Sequence, residues 1–338
     1  MSEGATPRLA GGGACLRALR LAAAALFLHA GAVGELAAAE LDIVTIAGGR
    51  HGGVYLHTGR AICRFVNASR ARHQLRCLAR SSADPVSAVR ALHEGERSYA
   101  LVPSDVLYDA YAGRDRFADS GPWRNLRRVL ALQDEPLVVL ARAQSGVRRL
   151  EDLRGRRVNL GVEGGSDREL VEELLAALGL SDADLAPSAS LDAERAVAAL
   201  CAGELDAAFF RVDHPTGWAE EAIRRCGARL VPMTGPAVDT LIASDPSVVR
   251  AIIEGGTYPG EQADVPVIAL ETNLVTTADR PDDEVYEVAS AVGENLQSLS
   301  RLHRSLDGLV QEDLVDTRLD IPLHPGAERY LREAGLVR

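Results

Sequence analysis

The order strand, glycine turn, helix occurs twice in this chain, and that repetition constrains the fold more than any single motif does. Leu41-Asp-Ile-Val-Thr-Ile46 reads as a short strand, Gly48-Gly-Arg-His-Gly-Gly53 as a turn, and Val54 to about Asn67 as a helix. The stretch Arg157–Gly161, the turn Glu163-Gly-Gly-Ser-Asp167 and the amphipathic run Arg168–Leu178 repeat the order. The echo continues further on. Ala91-Leu92 with Gly95-Glu96 leads to a strand ending at Pro103-Ser104-Asp105. Ala199-Leu200, 108 positions after its counterpart, leads with Gly203-Glu204 to a strand ending at Asp213-His214-Pro215. Two α/β units built alike are expected, each presenting loops and helix N-termini at the carboxyl ends of its strands.

Between the units, Asn125–Leu132 and Pro136–Arg142 read as consecutive strands. Val265–Thr276 is a long β-rich stretch, followed by a helix over Asp282–Leu302 and a short terminal helix after Pro325. Asp84-Pro85 supplies an N-cap and first-turn proline for a helix ending near Gly95. A chain that leaves one lobe, completes a second and returns crosses twice between them, and two crossings make a hinge. Lobe one is expected over 40–136 plus 266–338, and lobe two over 137–265.

Residues 1–39 read as a secretory signal peptide. Arg17 and Arg20 precede the apolar run Leu21–Leu28, and Ala37-Ala38-Ala39 offers a cleavage site before Glu40. The competing reading is a membrane anchor, but the run is shorter than the roughly 20 residues that span a bilayer, so the mature protein is not expected to be membrane-spanning. All 37 basic residues are Arg, and cleavage leaves 34 of them against 46 acidic residues, a net charge of −12. That balance argues against nucleic acid or anionic lipid as the partner. Four cysteines remain: Cys63, Cys77, Cys201 and Cys226. In an exported chain the local pairs Cys63–Cys77 and Cys201–Cys226 are the simplest disulfides, each contributing about 3 kcal/mol through the unfolded state; four buried thiols are the alternative.

A glycine turn ahead of a helix leaves backbone N–H groups unpaired and suits an anion. If the two turns face one another across a cleft, Ser166, Ser104, Tyr55 and Arg168 stand nearby; a purely structural role for each turn is the competing reading. Arg168 suits a carboxylate, because its guanidinium fork matches two oxygens, and equally suits an ion pair with Glu172 four residues on. Catalytic signatures are weak. The chain has no G-x-S-x-G elbow and no H-E-x-x-H helix, and nothing calls for a cofactor or metal. A non-enzymatic role is expected, with a secreted α/β hydrolase as the contrary reading.

Several segments resemble TRAP-transporter receptors of the TAXI type. Gly48-Gly49 through Gly53-Val54-Tyr55 and Ile62-Cys63-Arg64-x-Val66-Asn67 are similar to that family's opening. So are, in order, Pro103-Ser104-Asp105, Glu135-Pro136, Asp152–Asn159, His214-Pro-Thr-Gly217, Val231–Pro236, Gly255-Gly-Thr-Tyr258 and Leu323–Ala327. The resemblance implies an α/β, two-lobed periplasmic binding protein of type II-like topology with a two-crossing hinge. It also implies a small organic acid or amino acid as ligand, such as glutamate or 2-oxoglutarate, and TRAP membrane subunits as partners. An ABC-type or sensory binding protein of the same fold is the alternative. Carried over by residue, it places Gly49, His51, Gly53, Tyr55, Ser104 and Asp105 on the ligand from lobe one. Gly164, Gly165, Ser166, Arg168, His214 and Pro215 would meet it from lobe two. The family's G-S-G-x-R stands here as Gly164-Gly165-Ser166-Asp167-Arg168, with the serine moved by one position and an acid added. Arg50-His51 also departs from the small residues usual in the first turn, and either contacts an anion or points to solvent.

Overall fold

A computed structural model describes residues 42–337, apart from Gly52, Gly164, Gly165, Asp213, 303–305, 307–308 and 316–317, together with Met1 and Gly4. Apart from Met1 and Gly4, the expected signal peptide and Glu40 therefore lie outside the described residues. In chain order the main elements are β1 (Asp42–Gly48), α1 (Val54–Ala68), β2 (Leu75–Ser81), α2 (Pro85–His93), β3 (Tyr99–Pro103) and α3 (Ser104–Ala112). There follow β4 (Leu126–Ala141), β5 (Val158–Asn159), α4 (Ser166–Ala177), α5 (Ala193–Ala202), β6 (Ala207–Arg211), α6 (Gly217–Cys226), β7 (Arg229–Leu230), α7 (Pro236–Ser244) and β8 (Val248–Ile253). The chain closes with β9 (Val265–Thr277), α8 (Asp282–Gly293) and α9 (Pro325–Glu333).

One sheet runs in the order β2-β1-β3-β9-β4-β6-β5, with β7 added on β4 and β8 on β9. The repeat in the sequence is a repeat in space. β1 and β3 are parallel neighbours, and so are β5 and β6. Each pair then meets one long strand antiparallel: Pro103 at the end of β3 lies opposite Thr272 of β9, and Arg211 at the end of β6 lies opposite Leu137 of β4. The local signals are ordinary ones. Asp84 and Ser87 form a reciprocal capping box with Pro85 in the first turn of α2. Leu56, Gly59, Ile62, Cys63 and Val66 bury one face of α1 at helical spacing.

The apolar interior divides into bodies. One cluster takes all its members from residues between Leu137 and Leu270, and two others take theirs from Val44–Leu132 and Leu274–Leu331. The architecture is mixed α/β and two-lobed, and we call the first cluster with its elements lobe two and the other two lobe one. β4 and β9 run through both lobes, side by side and antiparallel, and their register slips between Ala131 and Asp134, so the bulge falls where the chain passes from one core to the other. The first crossing is one continuous strand of 16 residues and not the two strands expected. The helix expected over Asp282–Leu302 stops at Gly293 and resumes at Leu296. A Cβ on Gly293 would stand 1.7 Å from the Tyr330 hydroxyl, so glycine is there to let α9 approach.

Both disulfides form. Cys63–Cys77 ties α1 to β2 with its Cα atoms 4.8 Å apart, and Cys201–Cys226 ties α5 to α6 at 5.0 Å. Each lobe therefore carries one. Among the described residues no helix is long and apolar enough to cross a membrane.

Candidate functional site at the crossing between the lobes

Six polar side chains from five elements and the loop-to-helix start of α4 converge where β4 and β9 pass between the cores. Glu135 is at their centre. Its Oε1 accepts from the Tyr55 hydroxyl on α1 and from Thr272 Oγ1 on β9 at 2.6 Å, and its Oε2 accepts from Arg211 Nη1 at 2.9 Å. The other edge of the Arg211 guanidinium donates to Asp167 Oδ1, from Nε at 2.8 Å and from Nη2 at 2.7 Å. Asp105, at the start of α3, adds a third carboxylate to the field around Arg211.

Burial and charge explain how this cluster holds together. The Arg211 side chain is 7% exposed and Glu135 14%, whereas Asp167 is 46% exposed. Burial works against the Arg211 charge, but Asp167, Glu135 and Asp105 outweigh it, so the guanidinium holds its proton more tightly than in water. Burial pushes the Tyr55 hydroxyl well up, and the Glu135 charge adds to that, so Tyr55 is a donor. Burial also raises the Asp105 carboxyl against the pull of Arg211. Glu135 has three donors and is a fixed orienting partner; Asp167 is the half-exposed partner, and its charge is the largest of those that hold the guanidinium.

Two further ties join the lobes. Ser104 Oγ donates to the Ser247 carbonyl at 2.7 Å and accepts from the Glu271 N–H at 3.1 Å, and is 2% exposed. Arg116, after α3, pairs with Glu169 on α4. Near these, burial raises the Asp109 carboxyl to about 7, with help from the Asp115 and Asp105 charges.

The residues expected from sequence fall into three groups. Tyr55 and Asp105 stand in the cluster, and Ser104 adjoins it with its hydroxyl spent on backbone groups. The first glycine turn is tight, with Gly53 N–H bonded to the Arg50 carbonyl at 3.0 Å. Gly49 abuts Tyr55, where a Cβ would sit 3.4 Å from the Tyr55 Cβ, so the turn positions the tyrosine. His51, like Arg50, points to solvent. In the second turn Gly164 and Gly165 lie outside the described residues, and Ser166 opens the α4 backbone. Arg168 donates to Glu172 at 2.6 Å and to Asp182 at 3.3 Å, which is the ion-pair reading. His214 stands apart from the cluster. Its Nδ1 is 2.5 Å from the Tyr258 hydroxyl, which accepts from the Thr216 N–H at 2.9 Å, and burial lowers its pKa to about 4, so the ring is neutral. Pro215 beside it is exposed.

Arg211 and Asp167 were missed by the sequence reading. The available signal was a charged residue closing the buried run Ala207-Ala-Phe-Phe210, which must find a partner. Among the described residues no group of three or more His, Cys, Asp or Glu side chains is placed to hold a metal ion.

Solved structures of the same architecture are distant in sequence. PhnD1 from Prochlorococcus marinus, in complex with methylphosphonate, is 10% identical with a TM-score of 0.51, covering 88% of this chain and 99% of its own. A putative sulfonate ABC transporter protein, the periplasmic sulfonate-binding SsuA from Methylobacillus flagellatus, is 14% identical with a TM-score of 0.51, covering 88% of each chain. These likenesses speak for the fold, that of two-lobed periplasmic binding proteins. At the level of sequence, the model of the NMT1-like family matches residues 46–335, from within β1 to just past α9, and the chain belongs to that family.

Proposed function

We propose that this protein is an extracytoplasmic solute-binding receptor, periplasmic once its leader is removed, that closes two lobes on a small ligand with an anionic head and passes it to a membrane transporter without chemical turnover. The observation that carries the reading is Arg211. It is a buried guanidinium at the carboxyl end of a lobe-two strand, its rear edge fixed by Glu135 and its front edge on the half-exposed Asp167. A ligand oxyanion takes the front edge with two parallel hydrogen bonds, and Asp167 turns away or receives a ligand ammonium. Tyr55 reaches Glu135 from lobe one, so binding at Arg211 and closure of the hinge share one network. The hinge is the strand pair at Ala131–Asp134, where the register slips.

An ABC-type membrane partner is favoured by the name of the SsuA fold relative. The TRAP-type partner implied by the order of motifs from Gly48 to Ala327 is the second reading, and neither the family match nor the fold relatives support the TAXI type. Gene neighbourhood separates them: an ATPase beside the gene supports the first, a membrane subunit of the TRAP kind the second.

Isothermal titration tests the receptor reading with small carboxylates, amino acids and sulfonates on the wild type and on Arg211→Lys and Arg211→Ala. Loss of a charge-assisted hydrogen bond costs about 1.5–3 kcal/mol, so Arg211→Ala is expected to bind roughly 10- to 150-fold more weakly. Arg211→Lys keeps the charge that Glu135 requires and reports whether the planar fork is needed. Unchanged affinity in both variants removes Arg211 from the site. Conversion of a bound ligand, followed by mass spectrometry, overturns the non-enzymatic reading.

A further inference from the structure

Beside the Arg211–Asp167 pair, lobe two contains a cavity of about 150 Å³ at the carboxyl ends of β5 and β6. Leu160, Val171, Leu191, Phe210 and Trp218 line it beside Asn159, Asp167, Asp192 and Arg211, and the Phe210 and Trp218 rings meet at 4.5 Å. Its polar side chains are otherwise engaged. Asn159 spends both ends of its amide on the Leu191 backbone, accepting at 2.7 Å and donating at 3.3 Å. Asp192 caps α5, accepting from the Arg195 N–H at 3.0 Å. Arg211 and Asp167 are thus the lining groups suited to a ligand head, and Leu160, Val171, Leu191, Phe210 and Trp218 offer apolar surface to its body.

From this asymmetry, and resting on the receptor reading above, we infer that the cavity is the subsite for a compact apolar group, and that the ligand has one charged head joined to an aliphatic or benzyl-sized body. An apolar cavity of about 150 Å³ accommodates a group the size of benzene. A ligand charged at both ends, such as 2-oxoglutarate or glutamate, would bring its second carboxylate against these leucine, valine and aromatic side chains and toward the like charge of Asp192, so it gains less from the cavity than an apolar body does. Arg211 recognises an oxyanion, and a carboxylate and a sulfonate both present the required pair of oxygens. The structure assigns the body of the ligand more narrowly than its head.

The test is a homologous series measured by isothermal titration and thermal shift on the mature chain. The probes are acetate, butyrate, isovalerate, 4-methylvalerate and phenylacetate, the alkanesulfonates of matching length, and glutamate with 2-oxoglutarate. Each methylene entering the cavity is expected to tighten binding about threefold to fourfold until the space is full. The dicarboxylates bind no better than acetate, and comparison of the two head groups decides between carboxylate and sulfonate. Ala193→Leu fills the cavity from the first residue of α5, and is expected to remove the gain along the series while leaving acetate unchanged. Trp218→Ala enlarges it and shifts the optimum to longer bodies. A flat series, or glutamate or 2-oxoglutarate binding tightest in both wild type and Ala193→Leu, overturns the apolar subsite while the receptor reading stands. Failure of every probe to shift the melting temperature overturns both.

Discussion

The two lobes repeat one topology and use it differently. In each, a parallel pair of strands meets a long crossing strand, and the shorter strand beside it ends at the junction: β3 at Pro103, β6 at Arg211. Lobe one follows its strand end with Ser104, whose hydroxyl fastens backbone groups across the junction. Lobe two ends its strand with a guanidinium and adjoins a cavity walled in part by aliphatic and aromatic side chains. The same scaffold position serves as a clasp in one half and as the charged contact in the other, so the repeat dictates where a site can be while the side chains decide what each half does.

The disulfides give the largest effects that test this pairing. Replacing both cysteines of a bridge by serine is expected to cost about 3 kcal/mol, and roughly 0.5 kcal/mol more for Cys201–Cys226 than for Cys63–Cys77, because its loop is longer. Calorimetry on the two double variants measures both. Similar losses match lobes of like construction; a loss confined to one bridge breaks the symmetry at the level of stability.

Ser104→Ala comes next. It removes the donation to Ser247 and leaves the buried Glu271 N–H without its acceptor, at a cost of about 1–3 kcal/mol. Because Ser247 belongs to the other lobe, the loss is expected in the melting temperature and in ligand affinity together. A variant that melts lower yet binds as well as wild type would make Ser104 a lobe-one packing residue and not a clasp.

A smaller effect depends on pH. The Asp109 carboxyl is raised to about 7 by burial and by Asp115 and Asp105, so the folded protein takes up its proton more readily than the unfolded chain does. Its favourable contribution is complete below the ordinary carboxylate pKa and is lost as pH rises through about 7. Asp109→Asn imitates the protonated group. It is expected to match wild type only near pH 3 and to exceed it by a margin that grows from there to pH 8, where it passes about 1 kcal/mol, as read from denaturant unfolding across that range. A difference that does not vary with pH would show that Asp109 is solvated.

Much of the architecture was legible because it rests on local rules. The turn at Gly48–Gly53, the cap at Asp84-Pro85 and the repeated strand ends each follow from residue types at fixed spacing. The elements misjudged were set by distant contacts. Asp134-Glu135-Pro136 looks like a break between strands, yet β4 runs through it, since the polar pair sits at the junction between cores and Glu135 finds Tyr55, Thr272 and Arg211 there. The stretch Arg157–Gly161 yields only Val158–Asn159 as strand, because Gly161 adopts a positive φ of 93° and turns the chain toward α4. At the site, Tyr55 and Asp105 were readable from their places beside turns. Arg211 was not, because its role depends on an acid 76 residues away.

The smallest expected effect separates two arginines that the sequence could not rank. Arg168 follows the second glycine turn and has the fork a carboxylate needs, but its Nε and Nη2 already meet Glu172 and Asp182, whose side chains are each 55% exposed. Arg168 itself is 14% exposed, and ion pairs with such half-exposed partners contribute at most about 1 kcal/mol. Arg168→Ala is therefore expected to change stability by no more than that and to leave ligand affinity unchanged within error, where Arg211→Ala weakens binding by an order of magnitude or more. Titrating both variants with the same ligand decides the matter. A tenfold loss in Arg168→Ala with none in Arg211→Ala would move the anion from the end of β6 to the first turn of α4, and lobe two would then bind as a helix start and not as a strand end.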